Sequence, residues 1–327
     1  MIKQLRENLF RLAIPVPFPM KYVYCYLFKM EQEVILIDTG FSDQPAKEAW
    51  LHIFSELNID PKQVTKIYLT HFHPDHSGLS GWMQQLTGAK VYMSQTDMAM
   101  FTHVFMNGNN QAKQIGEMAV ENGVPIKLAD NIAEHMNELT KHIAPLPNFT
   151  ELTEKKILLG DKRWEVIAVP GHSDGHVCFY EPEEELLIAG DHILDKITPN
   201  ISLWPGGSDN PLKNYFHSLK LVSKFSVKEV FPAHGEIILN LKDRIDKLLC
   251  HHDERLKKME LLAARGCTAY EVAVQTFNAK KLTAHQWRFA MAETLAHLEY
   301  LVRSDKLRKK TEDNVVYYEG NKHKIVV

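Results

Sequence analysis

The nine residues "THFHPDHSG", positions 70–78, contain three histidines and an aspartate: His71, His73, Asp75 and His76. Imidazole nitrogen and carboxylate oxygen are ordinary ligands of zinc and similar borderline cations. The group directly follows the apolar run "KIYL". His71 and His73, two apart at a strand's end, can therefore face the same side of an extended turn. Asp75 and His76 follow where the chain tightens toward the next helix, and can face a second point nearby. A lone H-x-H would read as well as a polar turn with helix-capping side chains. Three distant residues argue against that: His172 follows "VPG", Asp191 follows "IAG" and His234 follows "FPA". Each stands where an apolar strand stops, the edge on which α/β folds place their sites.

Those residues need strands and turns to position them, and the sequence supplies both. "YVYCYLFKM" (22–30) and "EVILIDTG" (33–40) are aromatic and β-branched runs that predict strands. Residues 43–58 carry Ala46, Trp50, Ile53, Phe54 and Leu57 on one helical face. "TKIYLT" predicts the strand before the histidines, and "SGLSGWMQQLTG" a short helix with a serine cap and Gly88 at its end. "AKVYMS" predicts another strand. Residues 97–150 break this rhythm with "MNGNNQ", two helix-like stretches and, counting Met93 just upstream, six methionines from Met93 to Met136. Such an insertion predicts a helical cap, its methionines either lining an adaptable apolar space or packing the cap on the body. Strands resume at "KKILLG", "RWEVIAVPGH", "HVCFYEP", "ELLIAGD" and "EVFPAHG". Three helices follow, over 241–264, from Thr268, and through "TAHQWRFAMAETLAHLEYLV", and then a charged hairpin, "RKKTEDNVVYYEG". This order predicts a winged-helix-like module, and so a catalytic domain over 1–240 and a C-terminal domain over 241–327.

The pieces "LIDTG" (36–40), "THFHPDH" (70–76), "PGHSDGH" (170–176), "AGD" (189–191) and "AHG" (233–235) together resemble the metallo-β-lactamase fold superfamily, over roughly residues 10–240. The resemblance implies an α/β fold, an αββα sandwich, with two metal ions held by its loops. Carried over by position, it implies that His71, His73 and His172 hold the first metal. Asp75, His76 and His234 would hold the second, with Asp191 bridging them. Five histidines and two aspartates without cysteine suit a dizinc site, and also admit iron or manganese. Two cations about 3.5–4 Å apart lower the pKa of a bridging water toward neutrality and polarise the oxygen under attack. The resulting hydroxide, bridging the metals, is the implied nucleophile, and Asp75, His176 and Asp191 are the implied catalytic residues.

His176 occupies the family's second histidine of "PGH-S/T-x-x-H", where the resemblance implies substrate binding or oxyanion stabilisation. Asp38 matches a residue expected to hydrogen-bond a ligand histidine. Thr70 and Gly171 are expected to shape turns. His192 and Asp195 flank the bridging aspartate, and no role is assigned to them. His103, His135 and His142 fall in the cap, and with His251 and His252 on the long helix they are expected on the surface. The turn-rich stretch 197–212 carries Trp204 and is expected either to line the substrate groove or to be an ordinary loop.

Net charge is −3, giving no global reason to expect a polyanionic partner. It is uneven: residues 241–327 carry 17 Lys/Arg and 12 Asp/Glu, net +5, leaving −8 for residues 1–240. Four scattered cysteines without a C-x-x-C pair read as reduced buried thiols. With no signal peptide and no apolar run of membrane length, the expected location is cytoplasmic, with no membrane partner. "PGHSDGH" and the dimetal set resemble the glyoxalase II-like hydrolase branch, which implies an ester, thioester or lactone of a small-molecule acyl substrate. The cap and C-terminal module also resemble lactamase-beta-like proteins, some of which cleave single-stranded RNA. "KLRKK" (306–310) favours that alternative, making RNA a second candidate partner. A metal-containing DNA-binding regulator is a third reading, against which the apolar and acidic third helix argues. A homodimer is left open.

Overall fold

The computed structural model describes residues 1–106, 110–277 and 282–321, so "NGN" of the "MNGNNQ" break lies outside the described residues. The apolar runs pair into two large sheets. The first joins, in spatial order, β1 (Ile2–Gln4), β2 (Leu9–Pro15), β3 (Tyr22–Lys29), β4 (Val34–Ile37), β5 (Val64–Tyr68), β6 (Lys90–Met93) and β7 (Phe149–Glu151). It is antiparallel as far as β4 and parallel from β4 to β7. The second sheet holds β8 (Lys156–Leu159), β9 (Lys162–Ala168), β10 (Val177–Glu181), β11 (Leu186–Gly190) and β12 (Glu229–Pro232), with only β11 and β12 parallel.

Side chains alternate along these strands, but both faces are buried, which is why the runs read as continuous apolar sequence. Tyr26, Phe28, Ile35, Ile37 and Tyr68 of the first sheet meet Trp164, Phe179, Ile188 and Phe231 of the second. Their neighbours Cys25, Leu27, Val34 and Leu36 point outward, into the core that Trp50 and Ile53 of helix α1 (Gln44–Glu56) share. Each such fully buried side chain contributes roughly 1.5–3 kcal/mol. Helices α2 (Pro74–Ser77) and α3 (Ser80–Thr87) follow β5. The insertion then forms α4 (Gln95–Phe101), α5 (Asn110–Glu121) and α6 (Ile126–Thr140), the helical cap expected. Its methionines mostly pack: Met136 is buried and Met98 and Met118 are half-buried against the core, while Met106 is exposed.

Several elements differ from expectation for local reasons. β2 was hidden by Arg11, whose guanidinium lies 3.4 Å from the Tyr24 ring centroid and donates to the Gly235 carbonyl. Helix α7 (Pro211–Val222) begins at the end of the turn-rich stretch, capped by Asn210 and started by Pro211. Ser77 does not cap α3: its hydroxyl donates to the Phe72 carbonyl, and Leu79 stands at the N-cap. Of the four cysteines, Cys25 and Cys178 are buried as expected, but Cys250 is exposed and Cys267 half-buried.

The C-terminal part is α8 (Leu241–Ala263), β13 (Arg265–Thr268), α9 (Ala269–Thr276), α10 (Ala284–Arg303), β14 (Leu307–Glu312) and β15 (Val315–Gly320). Thr268 with Glu271, and Thr283 with Gln286, form capping boxes that start α9 and α10. Asp313 and Asn314, both at positive φ, make the two-residue turn of the hairpin. Every residue from Ala290 to Leu298 is buried, so that stretch of α10 offers no free face to a nucleic-acid groove. His252, expected on the surface, is also buried, with Nδ1 3.0 Å from His297 Nε2. No described helix is long and apolar enough to cross a membrane.

Candidate metal centre

Both sheets end their strands at one place. Past β5 the chain carries His71 and His73 in extended form, then turns through α2, whose four residues include Asp75 and His76. His172 follows β9, Asp191 follows β11 and His234 follows β12. These seven side chains gather into two groups: His71, His73 and His172, and Asp75, His76, Asp191 and His234. In the first, His73 Nδ1 lies 3.1 Å from His71 Nε2 and 2.9 Å from His172 Nε2. Nitrogens bound at about 2.0–2.1 Å in a tetrahedral zinc site stand at comparable mutual distances. In the second, His234 Nε2 is 3.3 Å from Asp75 Oδ2, and His76 Nε2 is 3.8 Å from the same oxygen.

Asp191 faces both groups. Its Oδ1 is 3.5 Å from His76 Nε2 and from His234 Nε2, while Oδ2 is 3.4 Å from His172 Nε2. The atoms His76 Nε2, His234 Nε2 and Asp191 Oδ1 are buried without a hydrogen-bond partner. Buried polar atoms are normally satisfied, so this donor set fits divalent cations in both groups.

The remaining ring nitrogens are occupied in a way that fixes the tautomers. His71 Nδ1 donates to Thr70 Oγ1 (3.0 Å), which itself donates to Asp38 Oδ2 (2.8 Å). His76 Nδ1 donates to Asp38 Oδ2 (2.8 Å), His172 Nδ1 to the Asn200 carbonyl (2.9 Å) and His234 Nδ1 to the Tyr22 carbonyl (2.9 Å). In all four, Nε2 is left free to face the site, the outer support that metal-ligating imidazoles use. Asp38 does this from a left-handed backbone conformation, φ +62°, just past β4. Thr70, expected only to shape a turn, is part of this support.

Electrostatics separate the groups. Burial, reinforced by neighbouring imidazoles, holds His71 and His73 well below the usual histidine range, and burial lowers His172. Burial alone would also lower His76 and His234, but Asp191 and the other nearby carboxylates outweigh it and raise both. The same contacts overcome burial at the carboxyls, bringing Asp75 to about 2 and Asp191 well below its usual range.

Other residues are placed differently from expectation. His176 is fully buried behind His71, stacked at 4.8 Å, and its Nε2 accepts from the Asp191 backbone N–H at 3.1 Å. It backs the site and has no face open to substrate, which corrects the role implied for it. His192 is buried against Tyr215, and Asp195 accepts from the Glu236 backbone N–H beside the His234 loop. Trp204 does border a crevice with His172, Phe72 and Met100.

Two supporting residues escaped sequence reasoning. Asp97 is buried and accepts from Phe72 N (3.0 Å), Ser173 Oγ (2.7 Å) and Gly175 N (2.7 Å), tying the two histidine loops together. Burial raises its carboxyl to about 6. Its spacing after Ser94, S-x-x-D, reads as an ordinary helix start, which conceals the bracing. Asn200, whose carbonyl orients His172, donates through its side chain to Glu293 of α10 at 3.0 Å. Glu293 pairs in turn with Arg255.

The sequence model of the metallo-beta-lactamase superfamily matches residues 19–234, and that of the metallo-beta-lactamase-like C-terminal domain matches residues 256–321. A Bacillus subtilis protein named probable metallo-hydrolase YqjP is 26% identical, the match covering 97% of this chain and 99% of that one. The crystal structure of the metallo-beta-lactamase family protein TTHA1429 from Thermus thermophilus superposes with a TM-score of 0.87 at 31% identity, covering 97% of this chain and 100% of that one. An Aspergillus fumigatus protein named atrochrysone carboxyl ACP thioesterase is 22% identical over 74% of this chain and 59% of its own length. Seven converging ligand-type side chains thus stand in a chain whose likeness to such proteins runs nearly end to end: it belongs to the metallo-beta-lactamase superfamily and is a metallo-hydrolase.

Proposed function

We propose that this enzyme hydrolyses an ester, thioester or lactone of an acyl compound with a pair of divalent cations, zinc being the pair that its ligands suit best. One observation carries the reading: Asp191 turns one carboxylate oxygen to each ligand group. When bound, the cations supply a water of lowered pKa and polarisation of the acyl oxygen. The protein's own part is orientation and shape. Asp38, Thr70, Asn200 and Tyr22 hold the ligand imidazoles by their far nitrogens, and Asp97 braces the loops that carry them. A cleft of about 280 Å³, where Pro17, Phe18, Phe41 and Leu139 stand beside Asp43, His135, Glu138 and His142, offers an apolar patch to an acyl group.

The thioesterase name of one relative supports acyl chemistry. The wing-like hairpin supports it indirectly, because its cations are already paired. Lys306 pairs with Glu260, Arg308 with Glu319, Lys309 with Glu299 and Lys310 with Glu312. Locally neutralised cations are poor ligands for a phosphate backbone. The test is turnover of the zinc- or manganese-loaded enzyme on a panel of thioesters, esters and lactones beside labelled single-stranded RNA. Metal-dependent acyl cleavage is expected, and RNA cleavage without acyl cleavage would overturn the reading.

A further inference from the structure

Near this cleft, where the cap meets α10, lies a cation that no carboxylate neutralises among the described residues. The Arg288 guanidinium sits 4.4 Å from the ring centroid of Phe289 and 5.3 Å from that of Trp204. Its Nη1 reaches only Met136 Sδ, at 3.3 Å, and its Nε is sealed from solvent without an acceptor. Burial lowers its pKa to about 10, with no opposing carboxylate, so it stays charged at neutral pH. The stretches outside the described residues contain no aspartate or glutamate that could pair with it. Four other arginines of the C-terminal part are satisfied, Arg255 by Glu293, Arg303 by Asp209, Arg308 by Glu319 and Arg244 by the carbonyls of Leu194 and Ile197, while Arg265 is exposed to solvent.

Arg288 is half-buried, its Nε lacks an acceptor and its guanidinium rests on aromatic rings, so the cation is open to an anionic ligand. Five donors in a planar fork match a carboxylate or phosphate. The surroundings point toward the metal centre. His285, one helical turn earlier, stacks on Phe18 at 5.4 Å and meets His135 at a tilt, 4.8 Å between ring centres. Trp204, beneath the guanidinium, shares its crevice with His172.

We propose that Arg288, flanked by His135 and His285 and resting on Trp204 and Phe289, binds an oxyanion, carboxylate or phosphate, carried by the substrate away from the scissile bond. The word substrate rests on the acyl-hydrolase reading, but the binding itself does not. The specificity of the site is then for amphiphilic anions: an apolar body against the aromatic rings and an anionic end on the guanidinium.

The metal-loaded full-length protein would be titrated calorimetrically with three thioethers of one chain length, ending in a carboxylate, a phosphate monoester or a neutral amide. One anionic probe is expected to bind at least tenfold more tightly than the amide, and which one identifies the oxyanion. Arg288→Met should erase most of that advantage, Arg288→Lys should retain part of it, and the melting temperature of Arg288→Met should equal or exceed that of the parent. Should Arg288→Met fail to fold, the comparison of Arg288→Lys with the parent still decides. An anionic advantage that is absent, or that survives in Arg288→Met, overturns the proposal. Arg288-dependent binding of single-stranded RNA without discrimination among the three probes also overturns it, in favour of a nucleic-acid site. Running the acyl panel in parallel separates the two readings, since turnover can fail while anion binding stands, and the reverse.

Discussion

The two halves of the metal centre are made of opposite electrostatic material. His71, His73 and His172 bring three imidazoles that burial keeps neutral, each with a lone pair already aimed inward. Asp75, His76, Asp191 and His234 bring two carboxylates and two imidazoles whose hold on a proton those carboxylates strengthen. The first half offers lone pairs, and the second offers lone pairs beside negative charge. Metal binding requires the deprotonated ligand. A cation entering the second half therefore competes with protons at His76 and His234 more than one entering the first does at His71, His73 and His172.

The largest expected effect comes from removing the carboxylate that both halves share. Asp191→Asn should lose about a thousandfold in kcat/KM, since it withdraws several kcal/mol of charge stabilisation at about 1.4 kcal/mol per tenfold. Elemental analysis should find fewer than two metals per chain, and two tightly held metals would defeat the bridging assignment. Next, His172→Ala and His234→Ala should each leave one half intact. Calorimetric titration in buffers of different ionisation enthalpy should then show more protons released per metal in His172→Ala, which keeps the charged half. Equal release from both variants would erase the distinction drawn here.

A smaller effect is expected from Glu293→Gln, which weakens the hold on Asn200 and so on His172 alone. Outer support of this kind is worth 10–100-fold in metal affinity, and a substitution two steps removed should fall near tenfold, confined to the first half. The smallest concerns buried imidazoles with no carboxylate partner. His252 and His297 are lowered by burial, the latter to about 3. In the unfolded chain both accept protons near pH 6.5, so stability is complete above that pH and falls as acid is added, until the folded-state value is reached. Each contributes at most about 1.4 kcal/mol per pH unit. His252→Phe should flatten the fall of melting temperature between pH 7 and pH 5, and an unchanged slope would refute the assignment.

Much of this centre was legible because its ligands end apolar strands, and strand ends are marked by the same pattern that makes the strands. His71 and His73 announce themselves by spacing, and His172, Asp191 and His234 by the "VPG", "IAG" and "FPA" that precede them. What was hidden lies in side chains whose role is fixed by long-range packing. Asp97 looks like a helix start, Thr70 like a turn, and Arg11 breaks an apolar run that the Tyr24 ring makes tolerable. His252 sits in a charged stretch of α8 and is buried because α7 and α10 cover it. His176 misled in the other direction, since its motif position implies contact with substrate and its packing denies it. Arg288 gave no local signal, because only the assembled cap and α10 reveal that it lacks a partner.

Each ligand group draws from both sheets. The first takes His71 and His73 from the end of β5 and His172 from β9, and the second takes Asp75 and His76 from α2, and Asp191 and His234 from β11 and β12. A bound cation would then be a cross-link as well as a reagent, riveting two layers that otherwise meet through apolar contact and a few polar links such as Tyr26 to the Pro232 carbonyl. His73 and His172 are 99 residues apart, so each rivet closes a long chain loop, and closing long loops removes much of the freedom open to an unfolded chain. The chain that lacks its metals should accordingly part along the seam between the sheets before either sheet melts.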